Sequence, residues 1–186
     1  METVTSVLIG IGLSAACGFR VFVPLLVMSV AAMSGHLTLA SNFQWIATYP
    51  ALIAFAVATG LEIGGYYIPW LDNLLDSISS PAAVVAGIIV TASVVTGTSP
   101  LLTWSLAIIA GGGAAGLIQG TTVLVRGASS VGTGGLGNPL LATIELGGAL
   151  LTSLLAVIAP LVGIILLAIL LTILSRKFMR RSAQRQ

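Results

Sequence analysis

The chain has 186 residues, 57% of them hydrophobic and 6% charged, with a formal net charge of +2 and a mean hydropathy of +1.13. A soluble domain carries about 25% charged residues, so the composition excludes one and predicts an all-α integral membrane protein. The charge balance does not point to nucleic acid, because five of the seven basic residues (Arg176, Lys177, Arg180, Arg181 and Arg185) crowd into the tail.

A membrane span needs roughly 20 apolar residues. Val7 to Met33 is the first candidate, interrupted by Arg20 and Pro24. No basic n-region or cleavage site precedes it, so this run is expected to stay in the mature protein. Ser34 to Tyr49 reads as a loop, with Trp45 and Tyr49 suited to an interface. His36 in it is expected to be a solvated loop histidine. Pro50 to Trp70 is the second span and carries Glu62; Tyr66, Tyr67 and Trp70 mark its far interface. Leu71 to Ser80 reads as a short amphipathic connection, and Pro81 to Thr96 as a short third span. Gly97-Thr98-Ser99-Pro100 is a turn signal. Leu101 to Val125 is the fourth span, with glycines at 111–113. A Gly/Ser-rich loop follows from Arg126 to Asn138. Pro139 to Ala159 is the fifth span and carries Glu145, and Pro160 to Leu174 is the sixth. Only Ala159-Pro160 separates that last pair.

The phrase Leu61-Glu62-Ile63-Gly64-Gly65 returns as Ile144-Glu145-Leu146-Gly147-Gly148. Matching the two glutamates matches span two with span five, and then span one with span four, which sets Arg20 against Gln119. The expected fold is therefore about six transmembrane helices in two inverted three-helix repeats, with broken or Gly/Pro-interrupted helices. Residues 1–80 hold the core of the first repeat, 81–100 the third span and a turn, 101–175 the second repeat, and 176–186 a basic tail. Even-numbered crossing puts both termini on one side, and the basic tail places that side in the cytoplasm. The expected location is the bacterial inner (plasma) membrane.

An intramembrane carboxylate costs on the order of 2.5–3.5 kcal/mol on insertion scales, so each such acid is a functional candidate. Small residues one turn from Glu62, Glu145 and Arg20 permit close helix approach, which turns all three into the bundle. Glu62 and Glu145 are both candidate partners of Arg20, either as a fixed ion pair or as a proton or cation site. Asp72 and Asp76 share a helix face and could bind a hard cation through oxygen, or could simply be solvated. The glycine-rich stretch between Arg126 and Asn138 could cradle an anion, or could be a plain connection. Cys17 is expected to be a packing residue. No zinc spacing, nucleophile–base set or phosphate loop is visible, so neither an enzyme nor a bound metal or cofactor is expected.

Several blocks carry a resemblance. They are Gly18-Phe19-Arg20, Ile68-Pro69-Trp70-Leu71-Asp72-Asn73-Leu74-Leu75-Asp76, Arg126-Gly127-Ala128-Ser129-Ser130, Gly134-Gly135-Leu136-Gly137-Asn138-Pro139 and Glu145. Over most of its length the chain resembles a bacterial integral-membrane family known as domain of unknown function 4126. The resemblance implies that Asp72, Asp76, Arg126, Asn138 and Glu145 belong to the family's pattern. It implies no activity. The chain departs from the pattern in having few loop charges and no basic residue just before Pro81.

The expected function is a small secondary transporter or channel-like protein, working as a homo-oligomer in membrane lipid on a small ion or small molecule. Arg20, Glu62, Glu145, Gln119, Arg126 and Asn138 are its candidate binding residues, with Glu62 and Glu145 near the midplane. The alternatives are a lipid-handling protein, with Arg20 and Arg126 on an anionic headgroup, and a non-transporting scaffold.

Overall fold

The computed structural model describes residues 2–162, and beyond them 164–166, 169, 172 and 173, with side chains described at all of these but 2, 69, 70, 72–74 and 76. Among the described residues the chain is helical throughout, without strands. Helices α1 (Glu2–Cys17) and α2 (Phe22–Met33) are followed by a 3-10 segment, Ser41–Ala47. Next come α3 (Tyr49–Gly65), α4 (Pro69–Val94) and α5 (Pro100–Leu106). A π-helical segment, Ala107–Gly112, leads into α6 (Gly113–Thr133), and α7 (Asn138–Ile158) closes the set. Three stretches are long and apolar enough to cross a membrane, 77–94, 100–133 and 138–158; the 3-10 segment with α3, bent by 64°, makes a fourth.

The first expected span does not form. Its two halves have 16 and 12 residues, about 24 and 18 Å long at 1.5 Å per residue, each short of a ~30 Å hydrocarbon core. They fold back on one another. Gly10 of α1 lies against Thr91 and Val94 near the C-terminal end of α4. Deeper along the same pair, Ser14 Oγ donates to the Gly87 carbonyl at 2.6 Å. The chain turns at 18–21 and returns. Ser93 Oγ then donates to Met28 Sδ at 3.3 Å, and the Ala40 amide to the Ser93 carbonyl at 2.8 Å. Both open ends of α1–α2 thus sit beside the C-terminal end of α4, and the tip points toward its N-terminal half. Pro24 is not the break, as the sequence had suggested. It lies in the first turn of α2, where a missing N–H costs nothing.

The tip is wedged tightly. A Cβ on Gly18 would lie 2.5 Å from the Ala115 carbonyl oxygen and 2.6 Å from Ile118 Cβ, so only glycine lets the tip meet α6. Higher up, Gly87 faces Ala115 and the Gly111 carbonyl, while the Ser14 and Thr91 hydroxyls bond at 2.7 Å. The glycines at 111–113 fall in and just after the π segment, whose wide turn exposes backbone for this contact with α4. Around these contacts Leu13, Cys17, Met28, Ile46, Val90 and Val94 form the apolar core.

Two further boundaries differ from expectation. Pro81 does not start a span: α4 runs through it from Pro69, absorbing the connection expected over 71–80. A proline is tolerated there because neighbouring helices and side chains can meet the freed backbone groups. The loop expected from Arg126 to Asn138 shrinks to residues 134–137, because α6 continues to Thr133 and ends on Gly134 at φ 63°. Glycine carries that left-handed turn without a Cβ penalty. The break at Ala159-Pro160 is present, with Ala159 at φ −145° and ψ 67°. Part of the sixth expected span and the whole basic tail lie outside the described residues.

Candidate functional site

Four charged side chains converge at the hairpin tip. Each comes from a different element: Arg20 from the tip itself, Glu62 from the last turn of α3, Arg126 from α6 and Glu145 from α7. Their relative exposures are 2%, 7%, 3% and 7%, so all four are withdrawn from the surface. Burying a charge is costly unless it is paired and hydrogen-bonded, and the pairing decides what each does.

Arg126 and Glu145 make a two-point ion pair. Arg126 Nε donates to Glu145 Oε1 at 2.8 Å, and Arg126 Nη2 donates to Oε2. This fork geometry is the strong form of an arginine–carboxylate contact. Arg126 is therefore not at an interfacial helix end, as its place beside the Gly/Ser-rich stretch had suggested. Because α6 runs on for two more turns, the guanidinium is carried inside the bundle.

Arg20 approaches the same carboxylate. Its Nη2 lies 3.5 Å from Glu145 Oε2 and donates to the Ala142 carbonyl at 2.9 Å. Its Nε and Nη1 meet no hydrogen-bond partner among the described residues. A buried donor left unmade costs about 1–3 kcal/mol, more when charged.

Glu62 is not an ion-pair partner of Arg20 in this arrangement. It accepts from the Val21 amide at 2.7 Å and the Phe22 amide at 3.1 Å. Those are orphan N–H groups at the start of α2. Val21 stands at the N-cap position and has no side-chain acceptor, so α3 supplies the cap that the local sequence lacks. The carboxylate also meets the positive end of the α2 dipole.

Tyr66 completes the cluster, and the sequence reading missed it by placing it at the interface. It is buried, and both guanidinium carbons lie over its ring, at 3.8 Å for Arg20 and 4.4 Å for Arg126. Its hydroxyl donates to Ser79 Oγ at 3.0 Å. Desolvated cation–π contacts are worth about 2 kcal/mol. The available signal was its place four residues after Glu62, on the same helical face.

Gln119 is buried where α6 packs on Gly18, and its amide donates to Ser80 Oγ at 3.5 Å. Asn138 opens α7 and donates to Ser130 Oγ at 3.1 Å, tying α7 to the last turns of α6. Of the stretch expected to be able to cradle an anion, only residues 134–137 remain outside helix. Asp72 and Asp76 fall early in α4, with side chains outside the described set. His36 lies at the open end of the hairpin, 3.0 Å from Ser34 Oγ, on a pocket of about 420 Å³ shared with Thr5, Ser6 and Thr38. Cys17 is fully buried as a packing residue.

The model of the family described as Domain of unknown function (DUF4126) matches residues 7–180, nearly the whole chain. The chain belongs to this family. The DUF4126 match covers every member of the cluster, and the family is uncharacterised. No curated protein and no solved structure matches the chain.

Proposed function

We propose that the protein is a small secondary transporter, and that the cluster at the hairpin tip is where its cargo ion binds. Arg20 carries this reading. A purely structural buried arginine is expected to close its donors, whereas this one keeps Nε and Nη1 unmade. Irregular backbone at membrane depth is tolerated where it is buried in protein or lines a cavity, and broken helices bring backbone groups to transporter sites. The turn at 18–21, capped by Glu62, is such a break. Helices α3 and α7 run in opposite directions past the tip, each delivering one glutamate, which supports an inverted duplication of the glutamate helices. Both acids reach the site nearer one end of the bundle than its middle. We place the protein in a bacterial plasma membrane, with the basic tail in the cytoplasm. Its working unit is expected to be a homo-oligomer.

Purified protein reconstituted in liposomes tests the reading. Ion flux well above that of protein-free vesicles is expected for at least one small ion in a panel of cations, halides, carboxylates and phosphate. Flux equal to the protein-free rate for the whole panel overturns it. A non-transporting scaffold is the second reading, favoured by one observation: Glu62 and Glu145 are both engaged. It predicts that baseline result.

A further inference from the structure

We infer that the pocket at the open end of the α1–α2 hairpin is a binding site for an uncharged, hydroxyl-rich ligand of monosaccharide size. It is separate from the charged cluster: Thr5 lies about 18 Å from the tip end of α1 at 1.5 Å per residue. The cavity is about 420 Å³, within the range of roughly 300–1,000 Å³ that small-molecule sites occupy. Three segments build it: the first turns of α1, the loop after α2 and the end of α4. They are held in place. Leu37 and Val94 are buried, and the Ala40 amide donates to the Ser93 carbonyl at 2.8 Å, which pins the loop to α4.

The lining sorts by chemistry. Thr5, Ser6, Thr38 and Thr96 bring hydroxyls and His36 an imidazole. Ile9, Leu37 and Val94 bring apolar surface. A hydroxyl both donates and accepts, so such a wall matches a ligand whose own groups do the same. Ser6 Oγ donates to the Thr3 carbonyl at 2.9 Å and keeps its lone pairs to accept with. His36 Nδ1 is engaged with Ser34 Oγ, which leaves Nε2 as the ring nitrogen for a ligand. The apolar part matches the C–H face of a sugar ring. A wholly apolar guest would cover these polar groups without bonding them, which is costly. The hydroxyls, rather than any balance of charge, set the ligand class. Glu2, one turn before Thr5 and Ser6, has its side chain outside the described set; a carboxylate there would accept from sugar hydroxyls and disfavour an anion. Val94 closes the candidate span 77–94, which puts the pocket at the end of a span. A free sugar and the sugar headgroup of a lipid both reach that level and offer the same hydroxyls.

The test is binding of glucose to the purified chain in phosphatidylcholine nanodiscs, which carry no sugar headgroup. Saturable binding is expected. Thr38→Val combined with Thr96→Val removes two hydroxyls at nearly constant volume and should weaken it at least about tenfold. Thr121→Val, whose hydroxyl serves the Leu117 carbonyl on α6, should bind like wild type. A monoglucosyl diacylglycerol added to the nanodiscs and followed by native mass spectrometry separates the sources. Retention of the glycolipid without glucose binding assigns the site to a lipid headgroup, and glucose binding without the glycolipid assigns it to a free sugar; either supports the site. Saturable binding of neither overturns it, as does binding unchanged in the double variant. Binding of phosphate and of neither sugar overturns the ligand class. Should the double variant fail to fold, thiol labelling of Thr38→Cys in a Cys17→Ser background decides. Protection by glucose or the glycolipid supports the site, and protection by neither overturns it. None of these outcomes bears on flux at the hairpin tip, so the pocket and the transporter reading fail separately.

Discussion

Arg126 shows how far one side chain's role depends on where its helix ends. Its fork is the close contact at the Glu145 carboxylate, which Arg20 approaches only at 3.5 Å. Arg126→Ala should cost about 3–5 kcal/mol, the range for breaking one side of a buried pair, read as a loss of unfolding free energy in detergent. Arg126→Lys keeps the charge but not the fork and should lose less. Equal stability of Arg126→Ala and wild type would show that the pair is not holding α6 to α7. The four charges themselves were legible in the sequence, because an ionisable residue in an apolar run announces itself. Their pairing was not. Glu62 looks like a natural partner for Arg20 by charge alone, yet it caps α2, because the backbone donors at the turn have no acceptor of their own. That demand appears only once the turn exists. Tyr66 was hidden for a related reason: a tyrosine near a span's end reads as an interface anchor until the arginines that cover it are placed.

At the level of elements, the α1–α2 hairpin is the main departure from the sequence reading. Val7 to Met33 is apolar enough for one long span, and hydropathy cannot distinguish a crossing from a fold-back. The turn is set by Gly18, which alone lets the tip reach α6, and by Glu62 waiting opposite. Gly18→Ala should therefore destabilise by about 1–3 kcal/mol, the usual range for overpacking, and should perturb Arg20 although it removes no polar group. Ala at Gly60, where nothing lies within reach of a new Cβ, is the control. Similar melting temperatures for the two variants would contradict the wedge. Helix starts at Pro50, Pro100 and Pro139 were legible, since proline suits the first turn and Thr48 and Ser99 accept from the Ala51 and Leu102 amides. Pro81 shows the limit of that rule. Proline opens α3, α4, α5 and α7, yet Pro81 lies inside α4, and only the packing around it decides.

For the whole molecule, the hairpin changes the topology. With both open ends of α1–α2 on one side, the candidate spans of the described chain are the 3-10 segment with α3, the later part of α4, α5–α6 and α7. Thr5 and His36 then share a side, and Leu136, in the α6–α7 turn and 88% exposed, lies on the other. Single cysteines at 5, 36 and 136, in a Cys17→Ser background, should label with an impermeant thiol reagent as two from one side and one from the opposite side. Opposite labelling of 5 and 36 would restore the single span and remove the hairpin. This arrangement brings four buried charges together from four elements, near one end of the bundle, around one arginine with donors to spare. The central claim is that Arg20 handles the cargo, and the flux of Arg20→Gln in proteoliposomes tests it most directly. The account predicts a folded variant, binding detergent and melting cooperatively, whose flux falls to the protein-free rate. Flux unchanged from wild type in that folded variant would contradict it.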